Sequence, residues 1–345
     1  MVVYASVQPA RGWRMPPDEV LHFLTAPWPR YVTFDDLLLN VLAYIPAGFL
    51  LALALRPHLR QHFAALLAIV IGVSLSITLE YVQTLLPGRV ASNVDVLTNS
   101  FGTLVGALAA PLFGPTRQLG RRLFAWRDAW CAPGIVTDTG AVLVVLWAAT
   151  ALHPTAQLFG TGDWRMTFDL PMRWLHTAQL ARAAEAAVVA LNLLGIALLV
   201  TTLARRRGTA LRPIVGAVLI ALALKTAFAI SLGTPNPWTW LTPGVTLGLA
   251  AGATLVYPAT LLPRRVAALL GALCVVLAAA AINLAPGNPY QTLPRQLLAG
   301  GASHFLSFSG MVRTLAELWP LLALTYLLAV AGGAGRVRAA GNDRL

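Results

Sequence analysis

Apolar runs of about 20 residues recur along the chain, separated by short connections rich in Arg, Pro or Gly. A helix that crosses a bilayer needs roughly 20 such residues. The runs predict about nine helices, over 37–55, 63–86, 94–113, 135–152, 183–203, 213–232, 243–262, 266–283 and 315–331. The expected fold is an all-α polytopic transmembrane bundle. Its parts are an outward N-terminal segment (1–36), a three-helix unit (37–113) and a basic cytoplasmic loop (114–134). A second membrane region (135–331) follows, with outward loops at 153–182 and 284–314, and then a cytoplasmic tail (332–345).

Composition excludes a soluble enzyme with a greasy core. Of 345 residues, 57% are hydrophobic and only 11% charged, and the mean hydropathy is +0.70. A soluble domain carries about 25% charged residues. The net charge of +12 would point to nucleic acid in a soluble chain. Here the arginines gather in alternate connections: Arg56 and Arg60; Arg117, Arg121, Arg122 and Arg127; Arg205, Arg206, Arg207 and Arg212; Arg264 and Arg265; Arg336, Arg338 and Arg344. Basic connections stay on the cytoplasmic side. The C-terminus is therefore expected inside, and 87–93, 153–182, 233–242, 284–314 and the segment before residue 37 outside. An outward N-terminus needs something to export it, and "MVVYASVQPARGW" opens with an apolar piece too short to span. A truncated first helix is the expectation. Lys225 is the sole lysine among many arginines and alanines, which reads as a GC-rich bacterial genome; a bacterial cytoplasmic membrane is the expected location. Cys131, in a basic loop, and Cys274, mid-helix, are not expected to pair. With no CxxC and no His cluster, no metal and no cofactor is expected.

Polar residues collect where the chain is most apolar. "LEYVQTLLPGRVASNVDVLTNSFG" (79–102) reads as the end of one helix, an outward turn at Pro87-Gly88 and the start of the next. Gly72, Ser76, Glu80 and Gln83 are spaced 4, 4 and 3, and Asp95, Asn99, Gly102 and Gly106 are spaced 4, 3 and 4. Each set shares a helix face. Asp36, Asn40, Tyr44 and Ala47 form a comparable stripe, after which Pro46 frees a carbonyl and favours a kink. Ser92 or Asn93 can cap the third helix, and Asp95 in its first turn suits the helix dipole. Gly102 and Gly106 make a GxxxG, which lets another backbone approach. Membrane-embedded ionisable groups usually face the bundle interior. The three stripes are therefore expected to converge, with Arg89 between Glu80 and Asp95, and Asn40, Gln83 and Asn99 satisfying the rest. Two readings stay open, interhelical glue or a site open to the outer leaflet. Hard oxygen ligands are present, but without His or a loop of known spacing they do not define a metal site.

Elsewhere the signals are weaker. Lys225 and Asn192 form a possible second polar site, with Glu185 as another neighbour or as a partner of its own helix dipole. Trp164, Phe168, Trp174, Tyr290, Phe305, Phe308 and Trp319 suit a headgroup belt. His153, His176 and His304 read as solvated loop residues. "LNVLAYIPAGFLLALALRP" from Leu39 and "LNLLGIALLVTTLARRR" from Leu191 hint at an internal repeat, whose second copy lacks counterparts of Glu80 and Asp95.

"LNVLAYIPAGFLL" (39–51), "LEYVQTLLPGR" (79–89) and "NVDVLTNSFGTLVGAL" (93–108) together resemble the VanZ-like family of bacterial membrane proteins, over about residues 30–115. The family's first member is associated with low-level resistance to the glycopeptide teicoplanin, and its molecular activity is not established. The resemblance implies an envelope protein that binds or modifies a lipid-linked or lipidated amphiphile at the outer leaflet. Membrane lipids, a lipid-linked cell-wall precursor or a lipoglycopeptide are the partners it implies. An intramembrane transferase or hydrolase, with Glu80 and Asp95 as an acid–base pair, is a second reading. A transporter built on the repeat is a third.

Overall fold

The structure is a computed structural model, and it describes residues 13–15, 21–29, 32, 34–86, 90–114, 117–152, 157–165, 168, 177–231, 236–284 and 303–334. These residues are helical apart from short connections and one isolated antiparallel bridge between Cys131 and Ala204. All the apolar runs read from the sequence are helices. Among the described residues six are long and apolar enough to cross a membrane: Gln61–Thr84, Asn93–Phe113, Ala178–Leu203, Leu211–Ile230, Arg264–Leu284 and Val312–Ala331. Asn40–Leu55 and Ile135–Thr150 are apolar but shorter. The chain divides into two compact units, Met1–Trp126 with Ser303–Met311, and Arg127–Ala302 with Val312–Leu345.

The first unit contains a short helix α1 (His22–Thr25), then α2 (Phe34–Leu55), α3 (Gln61–Thr84) and α4 (Asn93–Ala109), which a 3-10 turn extends over Ala110–Phe113. Helix α4 packs on both α2 and α3. Its contact with α2 is a backbone-to-backbone seam. A Cβ placed on Gly102 would collide with the Val41 carbonyl, and one on Gly106 with the Ile45 carbonyl. From the other side, a Cβ on Gly48 would collide with the Thr103 carbonyl. Gly72 of α3 receives the Thr103 side chain. Helices in lipid gain little from hydrophobic burial against each other, so close van der Waals contact between small residues supplies the association. The seam ends on a small cluster of Ala52, Ala68, Ala107 and Ala110. Pro46 lies inside α2 on its exposed side, away from this seam.

Residues 118–130, read from the sequence as part of a loop, form a helix, α5 (Gln118–Trp130). Its three arginines kept it out of any apolar window, although its leucines and tryptophans recur at helical spacing. The second unit then runs through α6 (Ile135–Thr150), α7 (Ala178–Leu203), α8 (Leu211–Ser231), α9 (Pro243–Thr260), α10 (Arg264–Leu284) and, from Val312 on, α11 (Ser303–Ala331). Helix α7 is apolar all round and buried over most of its length, so it forms the hub of this unit. It packs on α6, α9 and α10. Helix α9 docks on it through Gly244, Gly248 and Gly252, each facing α7 with no room for a Cβ. First and third helices thus meet through glycines in both halves of the apparent repeat. The second helices differ: α3 packs on both its partners, whereas α8 packs chiefly on α6.

Between α6 and α7 the segment 157–165 runs through the interior, with Leu158, Phe159 and Thr161 buried. Phe159 adopts φ +57° and lies 4.8 Å, centroid to centroid, from Trp147. Non-helical backbone at such a place needs its polar groups satisfied by protein. Gly162 N donates to Ala316 O at 2.8 Å, and Asn283 Nδ2 donates to Gly162 O at 2.6 Å. Trp164 N donates to Asn283 Oδ1 at 2.9 Å, and Trp164 Nε1 to Glu317 O at 3.1 Å. Trp319, assigned from the sequence to a headgroup belt, is 1% exposed and donates from Nε1 to Leu143 O at 2.8 Å. Its indole N–H serves the core of the unit and not an interface. Trp174, Tyr290, His153, His176 and the side chains of His304, Phe305 and Phe308 lie outside the described residues.

Two predictions follow from these contacts. Gly106→Leu forces α2 and α4 apart and lowers stability by about 1–3 kcal/mol. Leu108→Ala, at an exposed position of the same helix, costs less than about 0.5 kcal/mol. Reversible unfolding in bicelles reads both. In the buried segment, Asp163 is pushed up by burial, but the Arg165 guanidinium, paired with it at 2.7 Å, and the charge of Arg313 bring its carboxyl below the ordinary 3.8. A depressed carboxyl stabilises the fold above its unfolded value and loses that contribution as pH falls through the folded one. Thermal unfolding of the parent should therefore weaken below pH 3.8 more steeply than that of Asp163→Asn.

Candidate functional site

Helices α3 and α4 place their polar stripes toward α2. Ser92, and not Asn93, caps α4: it has extended backbone, and its Oγ accepts from Val94 N at 3.2 Å. That leaves Asn93 free to reach outward, and its Nδ2 donates to Ala26 O at 2.7 Å. The Ser92 backbone N–H is not needed within α4, and it donates to Glu80 Oε2 at 2.9 Å. This bond ties the last turns of α3 to the first residue of α4, so Glu80 serves both as a buried acid and as a clasp on the hairpin. Asp95, in the first turn of α4, accepts from Asn40 Nδ2 at 2.9 Å and so joins α4 to α2. One turn deeper, Asn99 Nδ2 donates to Ser76 Oγ at 3.0 Å, which joins α4 to α3 again. Thr103 Oγ1 then closes the stripe on Asn99 O at 3.0 Å.

Glu80, Gln83, Asn99 and Ser76 are buried, and Asn40 and Asp95 are half-buried. Tyr44, from the α2 stripe, is 3% exposed and lies within electrostatic reach of Glu80 and Asp95 and beside Ser76. Its Oη and the Oδ1 of Asn99 are buried with no hydrogen-bond partner among the described residues. The structure therefore brings together Asn40, Glu80, Asp95 and Asn99, and adds Tyr44 and Ser76. Gln83 lies one turn beyond Glu80 on the same buried face. Arg89 and the Pro87-Gly88 turn lie outside the described residues, as does the side chain of Asp36.

Sequence reading missed a second cation at this end. Arg14 Nε donates to Thr84 O at 2.7 Å and Arg14 N to Leu85 O at 2.9 Å. A guanidinium on the last carbonyls of α3 meets the negative end of that helix dipole. With Asn93 held by Ala26, the segment before α2 is bound to the polar end of the unit at two places. No spacing signal connects residue 14 with residue 84, and only the folded chain does so.

In the second unit Asn192 and Glu185 are both hydrogen-bonded within the protein. Thr161 Oγ1 donates to Asn192 Oδ1 at 3.1 Å, and Asn192 Nδ2 donates to Val188 O at 3.0 Å. Glu185 lies two turns into α7, because that helix starts at Ala178 and not at 183. Its Oε2 accepts at 2.6 Å from Thr242 Oγ1, the N-cap of α9, so the carboxylate serves the neighbouring helix's positive end and not its own. Lys225 is buried on α8. Among the described residues no three His, Cys, Asp or Glu side chains come together as a metal site.

An all-helical chain with membrane-length apolar helices and a three-helix polar unit defines an integral membrane protein. Residues 16–114 match the family described as VanZ/LLP1, so the first unit is a VanZ-like domain. The match reaches further toward the N-terminus than the quoted motifs and takes in the α1 region that Asn93 holds. No curated protein and no solved structure matches the chain.

The Glu80 clasp generates a prediction. Glu80→Ala removes the acceptor and leaves the half-buried Ser92 N–H without it, at about 1–3 kcal/mol. Glu80→Gln keeps an oxygen for that bond and loses less. Unfolding in bicelles should rank the two in that order.

Proposed function

We propose that the VanZ-like unit binds the polar head of a lipid-linked or lipidated amphiphile in the outer leaflet of a bacterial cytoplasmic membrane. The observation that supports this reading is a pair of buried polar atoms beside two carboxylates: Asn99 Oδ1, with no hydrogen-bond partner among the described residues, and Tyr44 Oη, whose nearest polar neighbour is Ser76 and which makes no well-formed hydrogen bond among them. Holding three helices together needs less. One amide per interface contributes about 0.6–2 kcal/mol, and Asn40–Asp95 and Asn99–Ser76 already supply one to each. A hydroxyl that can donate and an amide oxygen that can accept suit a ligand group that does both, such as a hydroxyl, an amine or an amide. The carboxylates favour a ligand that brings an amine. An acyl or polyprenyl tail would remain among the lipids beside the exposed faces of α2 and α4. The resemblance to a family associated with teicoplanin, an acylated glycopeptide carrying amines and hydroxyls, agrees with this chemistry.

The test uses Tyr44→Phe and Asn99→Leu in the full chain, with teicoplanin as the probe. Each variant removes one ligand contact at a buried charge-rich position, worth about 1.5–3 kcal/mol, and should weaken teicoplanin binding in nanodiscs by about tenfold or more. Protection of cells expressing the variant should fall in parallel. Tyr44→Phe removes only a hydroxyl with no partner among the described residues, so folding should be retained, whereas Asn99→Leu also removes the Nδ2 donor to Ser76 Oγ; unfolding in bicelles checks both. If folded variants bind and protect as the parent does, the reading is wrong. Turnover of a labelled lipid-linked precursor by the purified protein, abolished by Glu80→Gln and Asp95→Asn, would instead make the unit an enzyme.

A further inference from the structure

Helix α5 follows directly on the end of the first unit opposite the polar cluster, after α4 and its 3-10 extension. Gly120 is buried, where a Cβ would collide with the Gly114 carbonyl, so one side of the helix is fixed against the preceding turn. Leu119, Leu123, Trp126 and Trp130 are spaced 4, 3 and 4 and form a single stripe. Three of them are open: Leu119 is 46%, Leu123 44% and Trp126 57% exposed. Arg122 lies beside the stripe, three residues after Leu119 and four before Trp126, and Arg117, Arg121 and Arg122 are all exposed. Arg127 differs, because it is engaged by Asp128 and Asp138. The exposed charge of α5 and its approach is therefore positive, and it adjoins an open apolar stripe.

We propose that α5 is an interfacial helix, lying along the membrane surface at the end opposite the polar cluster, and that its partner is anionic phospholipid. The apolar stripe is too narrow and the helix too short to span. A Leu/Trp face flanked by arginines suits the boundary between acyl chains and headgroups. Arginine binds phosphate in a two-pronged geometry, and each basic residue near an anionic surface adds to the attraction. Trp126 supplies the ring that favours the headgroup layer. Charge complementarity selects lipid over a second protein: the open face offers three cations and no exposed partner acid apart from Asp128, which Arg127 already holds.

The test places a single environment-sensitive fluorophore on cysteine at position 119, 123 or 121 of the full chain, with Cys131→Ser and Cys274→Ser as background. The protein is reconstituted in nanodiscs of phosphatidylcholine alone or with phosphatidylglycerol. Labels at 119 and 123 should be blue-shifted, quenched by headgroup-level spin-labelled lipid and shielded from aqueous iodide about threefold more than the label at 121. Phosphatidylglycerol should deepen this shielding, because the arginines draw the helix to anionic headgroups. Arg117→Gln, Arg121→Gln and Arg122→Gln combined should abolish the phosphatidylglycerol effect, with circular dichroism showing an unchanged helix content. The corresponding lysine triple should retain most of it. Equal iodide access at 119 and 121 overturns the proposal, as does a phosphatidylglycerol effect that survives the glutamine triple. Shielding at 119 that persists in detergent, with cross-linking between copies through position 119, also overturns it and assigns the stripe to a protein contact.

Discussion

Gly102 and Gly106 let the backbone of α4 lie directly against the carbonyls of Val41 and Ile45 on α2. The polar chemistry of the first unit depends on this contact. Asn40 and Tyr44 lie on the α2 face that the seam presses toward α4, so the seam sets how near Asn40 comes to Asp95. A side chain at either glycine would add several ångströms between the axes and break that bond. The seam is also the reason a polar cluster can exist there. In lipid an unpaired amide or carboxylate is costly, and three closely packed helices supply partners that lipid does not.

The cluster combines structural and chemical roles in the same residues. Glu80 holds the hairpin by accepting from the Ser92 N–H, and Asp95 holds α2 through Asn40. Tyr44 Oη and Asn99 Oδ1 do not contribute to the described packing. The same level of the unit thus carries both its interhelical hydrogen bonds and two polar atoms with no partner among the described residues. In the second unit Thr161 donates to Asn192 and Asn283 donates to the Gly162 carbonyl, while Nε1 of Trp147 and of Trp240 is buried with no hydrogen-bond partner among the described residues. Its buried loop reads as a rigid part of the core.

Much of this was legible from spacing. The intervals of three and four residues in 72–83 and 95–106 identified the buried faces of α3 and α4, because a helix places such residues on one side whatever surrounds it. The Ser92 and Asp95 positions followed from the chemistry of a helix start. What spacing could not supply was any contact that depends on three dimensions: Arg14 on the last carbonyls of α3, Asn93 on Ala26, Tyr44 beside Ser76, and Glu185 on the cap of α9. Helix α5 was missed for a different reason. A search for apolar length overlooks a helix whose arginines interrupt its apolar stripe.

The sequence alone determined that this is a helical membrane protein, where nearly every helix lies, and which faces of α3 and α4 are buried. Local physics decides these features: length against bilayer thickness, periodicity, and the cost of charge in lipid. The tertiary structure decided which polar atoms are paired and which are left open. Pairing depends on how closely α2 and α4 approach, and that distance is set by residues, two glycines and the carbonyls opposite them, that lie more than fifty positions apart in the chain.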